Sequence, residues 1–146
     1  MCPADLVKVN LKSGRPVGRC KPTIELGMHR SIYNVRPDIK AIVHAHSPFT
    51  IGVSISGKFR HVIEEAKIMI GDPAVISNRP SGSAELAKAV SYEFQKGSRA
   101  VVIKNHGVVA AGSDIAHARA IVESLEEWAK ILTIAQVSGG APDRLD

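Results

Sequence analysis

Residues 41–48 read Ala-Ile-Val-His-Ala-His-Ser-Pro, and this octet restricts the fold more than any other stretch. Three apolar residues, two of them β-branched, run straight into His-x-His, and Pro48 ends the run. Proline lacks an N–H and pushes the residue before it out of the helical region. The segment therefore reads as a buried strand that stops at a turn or a helix start. Side chains alternate along a strand, so His44 and His46 share one face, about 7 Å apart at the backbone. Two imidazoles on one rigid strand can converge on a divalent ion, and a catalytic ion takes about three protein ligands with one position open. The lesser alternative is two unrelated histidines at a strand end, since His is only intermediate in its preference for burial.

The rest of the chain mixes the two periods. Residues 6–11 alternate as a strand, and Ser13-Gly14-Arg15-Pro16 is a turn. From Thr23 as N-cap, Ile24, Met28, Ile32 and Val35 recur at helical spacing until Pro37. Glu25 falls in the first turn of that helix, near the positive end of its dipole. His29, four residues on, fits packing under a strand better than ligation. Beyond the octet, 49–55 is a short apolar helix stopped by Ser56-Gly57, and 61–70 is weakly helical. Gly71-Asp72-Pro73 is a turn and 74–76 a short strand.

Ser83 caps a helix over 84–95 with Leu86, Ala87, Val90 and Phe94 as its apolar stripe; an anion at that helix start is the alternative. Residues 100–103 form a second buried strand that continues through Lys104-Asn105-His106-Gly107 into a strand at 108–112. Gly107 permits an unusual backbone there, so His106 can enter a site from a strand end. A helix capped by Ser113 runs to about Val137, with Ile115, Ala118, Ile121, Val122, Leu125, Trp128, Ala129 and Leu132 inward. His117 in its first turns reads as surface or packing, and the residues from Gly139 onward as a frayed tail.

With 146 residues, 45% hydrophobic and 23% charged, the chain is expected to be one globular domain over 1–146. No apolar run approaches the ~18 residues of a membrane span, and from the residues after Met1 no signal peptide is expected. Cys2 and Cys20 make no C-x-x-C pair, which argues against a disulfide framework and for the cytoplasm. A net charge of +5 points mildly to anionic ligands, but the basic residues are scattered and aromatics are only 4%. A solvated surface explains most of that charge, and small phosphorylated substrates suit it at least as well as nucleic acid. Strands and helices mix throughout, which argues for a sheet covered by helices.

Glu25, His44, His46 and His106 lie at a helix start and at two strand ends. Three neutral imidazoles plus one carboxylate make a catalytic metal site. The text around them is Glu25-x-x-x-His29, Ile32-Tyr33, Arg36-Pro37-Asp38 and the octet, then Gly82-Ser83-x-Glu85-Leu86-Ala87, Lys104-Asn105-His106-Gly107-Val108-Val109, and Glu123-x-x-Glu126 with Ala129-Lys130. Over residues 5–135 it resembles the class II aldolase/adducin family. The resemblance implies a three-layer α/β/α domain, its mixed and mostly antiparallel sheet covered by helices on both faces. It implies a homotetramer with sites at subunit boundaries. It also implies a zinc-dependent aldolase that cleaves a sugar phosphate of the L-fuculose 1-phosphate kind through a metal-stabilised enediolate.

On the same ground His44, His46 and His106 correspond to the zinc ligands, and Glu25 to the acid/base carboxylate that is a fourth ligand at rest. Thr23 falls where the family has a Ser-Ser pair on the substrate phosphate, a pair from which Ile24 departs. A sugar-phosphate 4-epimerase and a methylthioribulose-phosphate dehydratase share the site; an adducin-like assembly module lacks its full ligand set. The aldolase's tyrosine is missing where Glu65 aligns, and Asp72 is only a loose counterpart of the epimerase's aspartate, so the substrate stays open. In the family a helix and a Gly-Asn-x-Ser loop that cradles phosphate precede the segment matching Asp5–Val9. The sequence holds no such loop. The expectation is an internal-methionine start or a natural short form, with slow turnover of phosphorylated sugars.

Overall fold

Two strands without a polar side chain organise the fold: β5 (Ala100–Ile103) and β6 (Gly107–Gly112) are buried along their whole length. The structure, a computed structural model, describes residues 6–18, 20–57 and 59–140. Expectations for Cys2, Asp5 and the tail beyond Gly140 fall outside those residues. Among them the chain order is β1 (Lys8–Val9), β2 (Pro16–Val17), α1 (Leu26–Val35), β3 (Ala41–Ala45), α2 (Pro48–Ser56), α3 (Glu64–Ile70), β4 (Ala74–Ile76), α4 (Ala84–Gln95), β5, β6 and α5 (Ile115–Val137).

The main sheet runs β3-β6-β5-β4. β6 is antiparallel to both neighbours, and β4 pairs parallel with β5. A strand covered on both faces must be apolar at every position, which is why 100–103 and 108–111 read as unbroken runs. Alternation divides them. Ala100, Val102, Val108 and Ala110 pack with Leu125, Trp128 and Leu132 of α5 and with Val53 and Ile70. Val101, Ile103, Val109 and Ala111 pack with Met28 and Ile32 of α1 and with Leu86, Val90 and Phe94 of α4. The result is the expected three-layer α/β/α fold with a mixed, mostly antiparallel sheet. Each fully buried Leu, Ile or Phe here contributes about 1.5–3 kcal/mol of transfer free energy.

Several boundaries differ from the sequence reading, each for a local reason. Only Lys8–Val9 of the 6–11 segment pairs, antiparallel with Pro16–Val17, in a hairpin outside the main sheet. α1 begins at Leu26, with Glu25 rather than Thr23 as its N-cap. The Thr23 hydroxyl accepts the Glu25 N–H at 3.2 Å and bends a turn ahead of the helix, leaving Ile24 exposed. α3 begins at Glu64, after an extended Ile63, and His61 ahead of it stacks on Trp128 with ring centroids 4.7 Å apart. α5 is capped by Asp114, whose carboxylate accepts the His117 N–H at 2.8 Å, so Ile115 faces solvent. Ser113 and Asp114 are both good caps, and sequence does not rank adjacent ones.

Arg36 of the Arg-Pro-Asp motif has a structural task. Its guanidinium grips Asp38 through two hydrogen bonds of 2.8 and 2.6 Å and reaches the Phe94 carbonyl, joining the end of α1 to α4. That grip holds the Asp38 carboxyl down at about 2. Among the described residues no helix is long and apolar enough to cross a membrane.

Candidate metal centre

β3 carries His44 inside the sheet ladder, opposite Val109, and His46 one residue past the last pair, Ala45 with Val108. Ile42 of the same strand packs against the α1/α4 cluster, so by alternation His44 faces that side. The His44 ring lies with Nδ1 3.0 Å from the Val108 carbonyl. A carbonyl only accepts, so the proton of a neutral ring belongs on Nδ1 and the lone pair on Nε2. That Nε2 is buried without a partner. Burial pushes the His44 pKa below its ordinary value; the Val108 carbonyl opposes the shift, His106 and His46 reinforce it, and Glu25 opposes it. A neutral ring with a free Nε2 is the form that binds a metal.

His106 enters from the turn between β5 and β6, its backbone N–H donating to the Ile103 carbonyl at 3.1 Å. Asn105 takes the left-handed conformation in that turn, φ 61°, which Asn tolerates better than most residues. The unusual backbone thus belongs to Asn105 and not to Gly107. Gly107 supplies room instead. A Cβ there would lie 2.5 Å from the Ala45 carbonyl oxygen, 3.0 Å from His46 Cδ2 and 3.2 Å from His44 Cε1. With that space left open, the His44, His46 and His106 ring centroids stand 5.1–5.3 Å apart in every pairing. One ligand atom from each ring lies within 4.8 Å of the others, an arrangement that could hold a metal ion. The donor set and the orphaned His44 Nε2 fit a divalent ion that accepts neutral imidazole.

Glu25 lies outside this three-ring set, near enough for its charge to oppose the lowering of the His44 pKa. It is 7% exposed, and its Oε1 accepts the Gly82 backbone N–H at 3.2 Å while Oε2 is buried without a partner. Gly82 is left-handed, φ 73°, and a Cβ on it would press 3.0 Å from the Ile24 carbonyl oxygen, so the loop that holds Glu25 calls for glycine. Ser83 beside it is the expected helix cap, accepting the Leu86 N–H at 3.1 Å. His29 is half-buried. Burial lowers its pKa, His44 lowers it further and Glu25 raises it, so it shares the field of the site without joining the three-ring set.

The remaining candidates lie outside the three-ring set. Thr23 is exposed, its hydroxyl engaged with the Glu25 N–H. Glu64 and Glu65 are exposed in the first turn of α3. Asp72 meets His61 Nε2 at 2.5 Å, beside Trp128 on the α5 side of the sheet. His117 is exposed at the start of α5. Sequence reasoning missed the Val108 carbonyl on His44 and the Gly82 N–H on Glu25. Both are backbone groups, far off in sequence, and carry no residue signature.

Residues 1–133 match the family described as Class II Aldolase and Adducin N-terminal domain. An L-fuculose phosphate aldolase of Methanococcus maripaludis is 38% identical over 112 residues, 76% of this chain and 61% of that protein. A 3-oxo-tetronate 4-phosphate decarboxylase of Haemophilus influenzae is 33% identical over 129 residues, 84% of this chain and 61% of that protein. The chain thus spans about three-fifths of the length of these relatives. A solved L-fuculose 1-phosphate aldolase superposes with a TM-score of 0.84 at 30% identity, covering 100% of this chain and 68% of that one.

Proposed function

The chain belongs to the class II aldolase and adducin family, and we propose that it is a zinc-dependent lyase that breaks a carbon–carbon bond in a phosphorylated ketose. One observation carries this reading. The ligand atoms of His44, His46 and His106 converge, and the buried carboxylate of Glu25, whose charge acts on His44, has an Oε2 without a partner. Zn²⁺ or a similar ion bound by the three rings would supply Lewis-acid chemistry at the substrate's oxygens.

The chain's own groups account for the rest. Val108 keeps the His44 ring in the tautomer that leaves Nε2 free. Retro-aldol cleavage of a ketose 1-phosphate removes a proton from the C4 hydroxyl, breaks C3–C4 and returns a proton to C3. Glu25 Oε2 is the free, buried atom that takes or returns such a proton, and the Gly82 N–H on Oε1 steadies the carboxylate meanwhile. We assign Thr23 a contact with the substrate phosphate, on its exposure two residues before Glu25. The proposal extends to a cytoplasmic homotetramer, for which exposed apolar side chains such as Ile68, Tyr92, Ile131 and Ile134 offer surface to bury between subunits.

A second reading, decarboxylation of a phosphorylated 3-oxo acid, draws support from the H. influenzae relative. Both reactions leave an electron pair beside a carbonyl, so product analysis separates them. Metal-loaded protein is incubated with L-fuculose 1-phosphate and with 3-oxo-tetronate 4-phosphate. Release of dihydroxyacetone phosphate from the first supports the aldolase, and carbon dioxide from the second moves the assignment to the decarboxylase. Glu25→Gln should keep its metal and lose about 10²–10⁴-fold in turnover, because an amide carries no proton. No product from either substrate would overturn the proposal.

A further inference from the structure

We infer that Glu126 on α5 is the positioning residue for His46, an inference that rests on the metal-site reading above. The three rings are held unequally. His44 sits within the β3–β6 ladder and has the Val108 carbonyl on Nδ1. His106 is fixed by the tight turn between two buried strands. His46 lies one residue beyond the ladder, is exposed, and has no hydrogen bond to its ring among the described residues. Its position therefore depends on its neighbours in the chain, Ala45 behind it and α2 ahead of it.

The start of α2 does not hold itself. Its N-cap, Ser47, is buried and extended, yet its side chain makes no capping hydrogen bond. Pro48 follows at the first helical position and has no N–H to offer. The next donors go to one carboxylate 76–77 residues away. Phe49 N–H donates to Glu126 Oε1 at 3.1 Å, and Thr50 N–H and hydroxyl donate to Oε2 at 2.9 and 2.8 Å. Thr50 is fully buried. Lys130, one turn further along α5, places its ammonium 5.6 Å from the Phe49 ring centroid and adds a second tie.

A carboxylate is the right group for this place, since it accepts several bonds and opposes the positive end of the helix dipole. The helix that carries it is fixed in turn, because Leu125, Trp128 and Leu132 are buried in the core. Only His46 and Ser47 lie between the last β3 pair and the clamped turn of α2. Glu126 thus determines where the His46 ring stands relative to His44 and His106.

The test loads the full chain with Co²⁺, whose visible d–d spectrum reports ligand geometry, and measures metal affinity by chelator competition. Glu126→Gln presents an NH2 group to backbone donors, and it should weaken metal binding about 10- to 100-fold, as lost outer-sphere support does elsewhere, with an altered spectrum. Thr50→Val removes only the hydroxyl donor and should move both readouts less, in the same direction; it carries the test if Glu126→Gln fails to fold. Glu123→Gln, on the same helix but paired with Arg119 at the surface, should change neither. Folded Glu126→Gln and Thr50→Val proteins with parental affinity and spectrum, even with a lowered melting temperature, would overturn the inference alone. A parent that binds neither Co²⁺ nor Zn²⁺ would overturn the metal reading with it.

Discussion

Two histidine neighbourhoods lie on opposite faces of one sheet, and their difference shows what makes a site. His44 on the α1/α4 side and His61 on the α5 side each have one ring nitrogen bonded to an oxygen and the other buried without a partner. The partner of His44 is a backbone carbonyl inside the sheet; that of His61 is Asp72, whose side chain is 95% exposed. Around His44 two more imidazoles bring ligand atoms within 4.8 Å, and Glu25 stands nearby with a free oxygen. Around His61 the neighbours are Trp128, stacked at 21°, and one carboxylate. A buried imidazole with an orphaned nitrogen is therefore not yet a site. Convergence of several such atoms at the end of a ladder is.

The sharpest way to break this contrast is Gly107→Ala. The added methyl would meet the Ala45 carbonyl and two of the rings, so it should destabilise the fold by about 3 kcal/mol or more. Chelator competition at a temperature where the variant is folded should show metal binding lost, while the near-ultraviolet dichroism of Trp128 keeps its native sign. Trp128→Phe probes the other side. It removes an indole N–H bonded to the Arg60 carbonyl at 2.6 Å and leaves unfilled volume at a buried position, for an expected loss of about 1–3 kcal/mol in urea unfolding. Metal affinity should not move.

The smallest effect concerns pH. Burial is the leading cause of lowered pKa values at both His29 and His44, so their folded forms hold fewer protons than the unfolded chain below the ordinary value of 6.5. Stability of metal-free protein should then be full above about 6.5 and fall as pH drops through that value toward the folded pKa values. Urea melts between about pH 5 and 8 check the sign, and His44→Gln should flatten the slope.

Much of this was legible because the central strands follow rules that act over a few residues. The expected bounds of β4, α4 and β5 agree with the structure, since unbroken apolar runs and a Ser cap are local signals. His44 and His46 share a face by alternation alone. What was not legible depends on partners distant in the chain. The hold on the Glu25 carboxylate left no sign in the sequence around it, because the Gly82 N–H on Oε1 comes from 57 residues away. Gly107 looked like a backbone device because the rings it makes room for come from β3. Ile24 and Ile115 matched a helical stripe but lie before and at the first turn, where the caps turn them outward.

Metal analysis tests the three-histidine assignment most directly. Protein purified without chelator is assayed by plasma mass spectrometry as the parent, His44→Ala, His106→Ala and His61→Ala. The assignment requires close to one divalent ion per chain in the parent and in His61→Ala, and a large deficit in the other two. Equal metal content in His44→Ala, His106→Ala and the parent would contradict it.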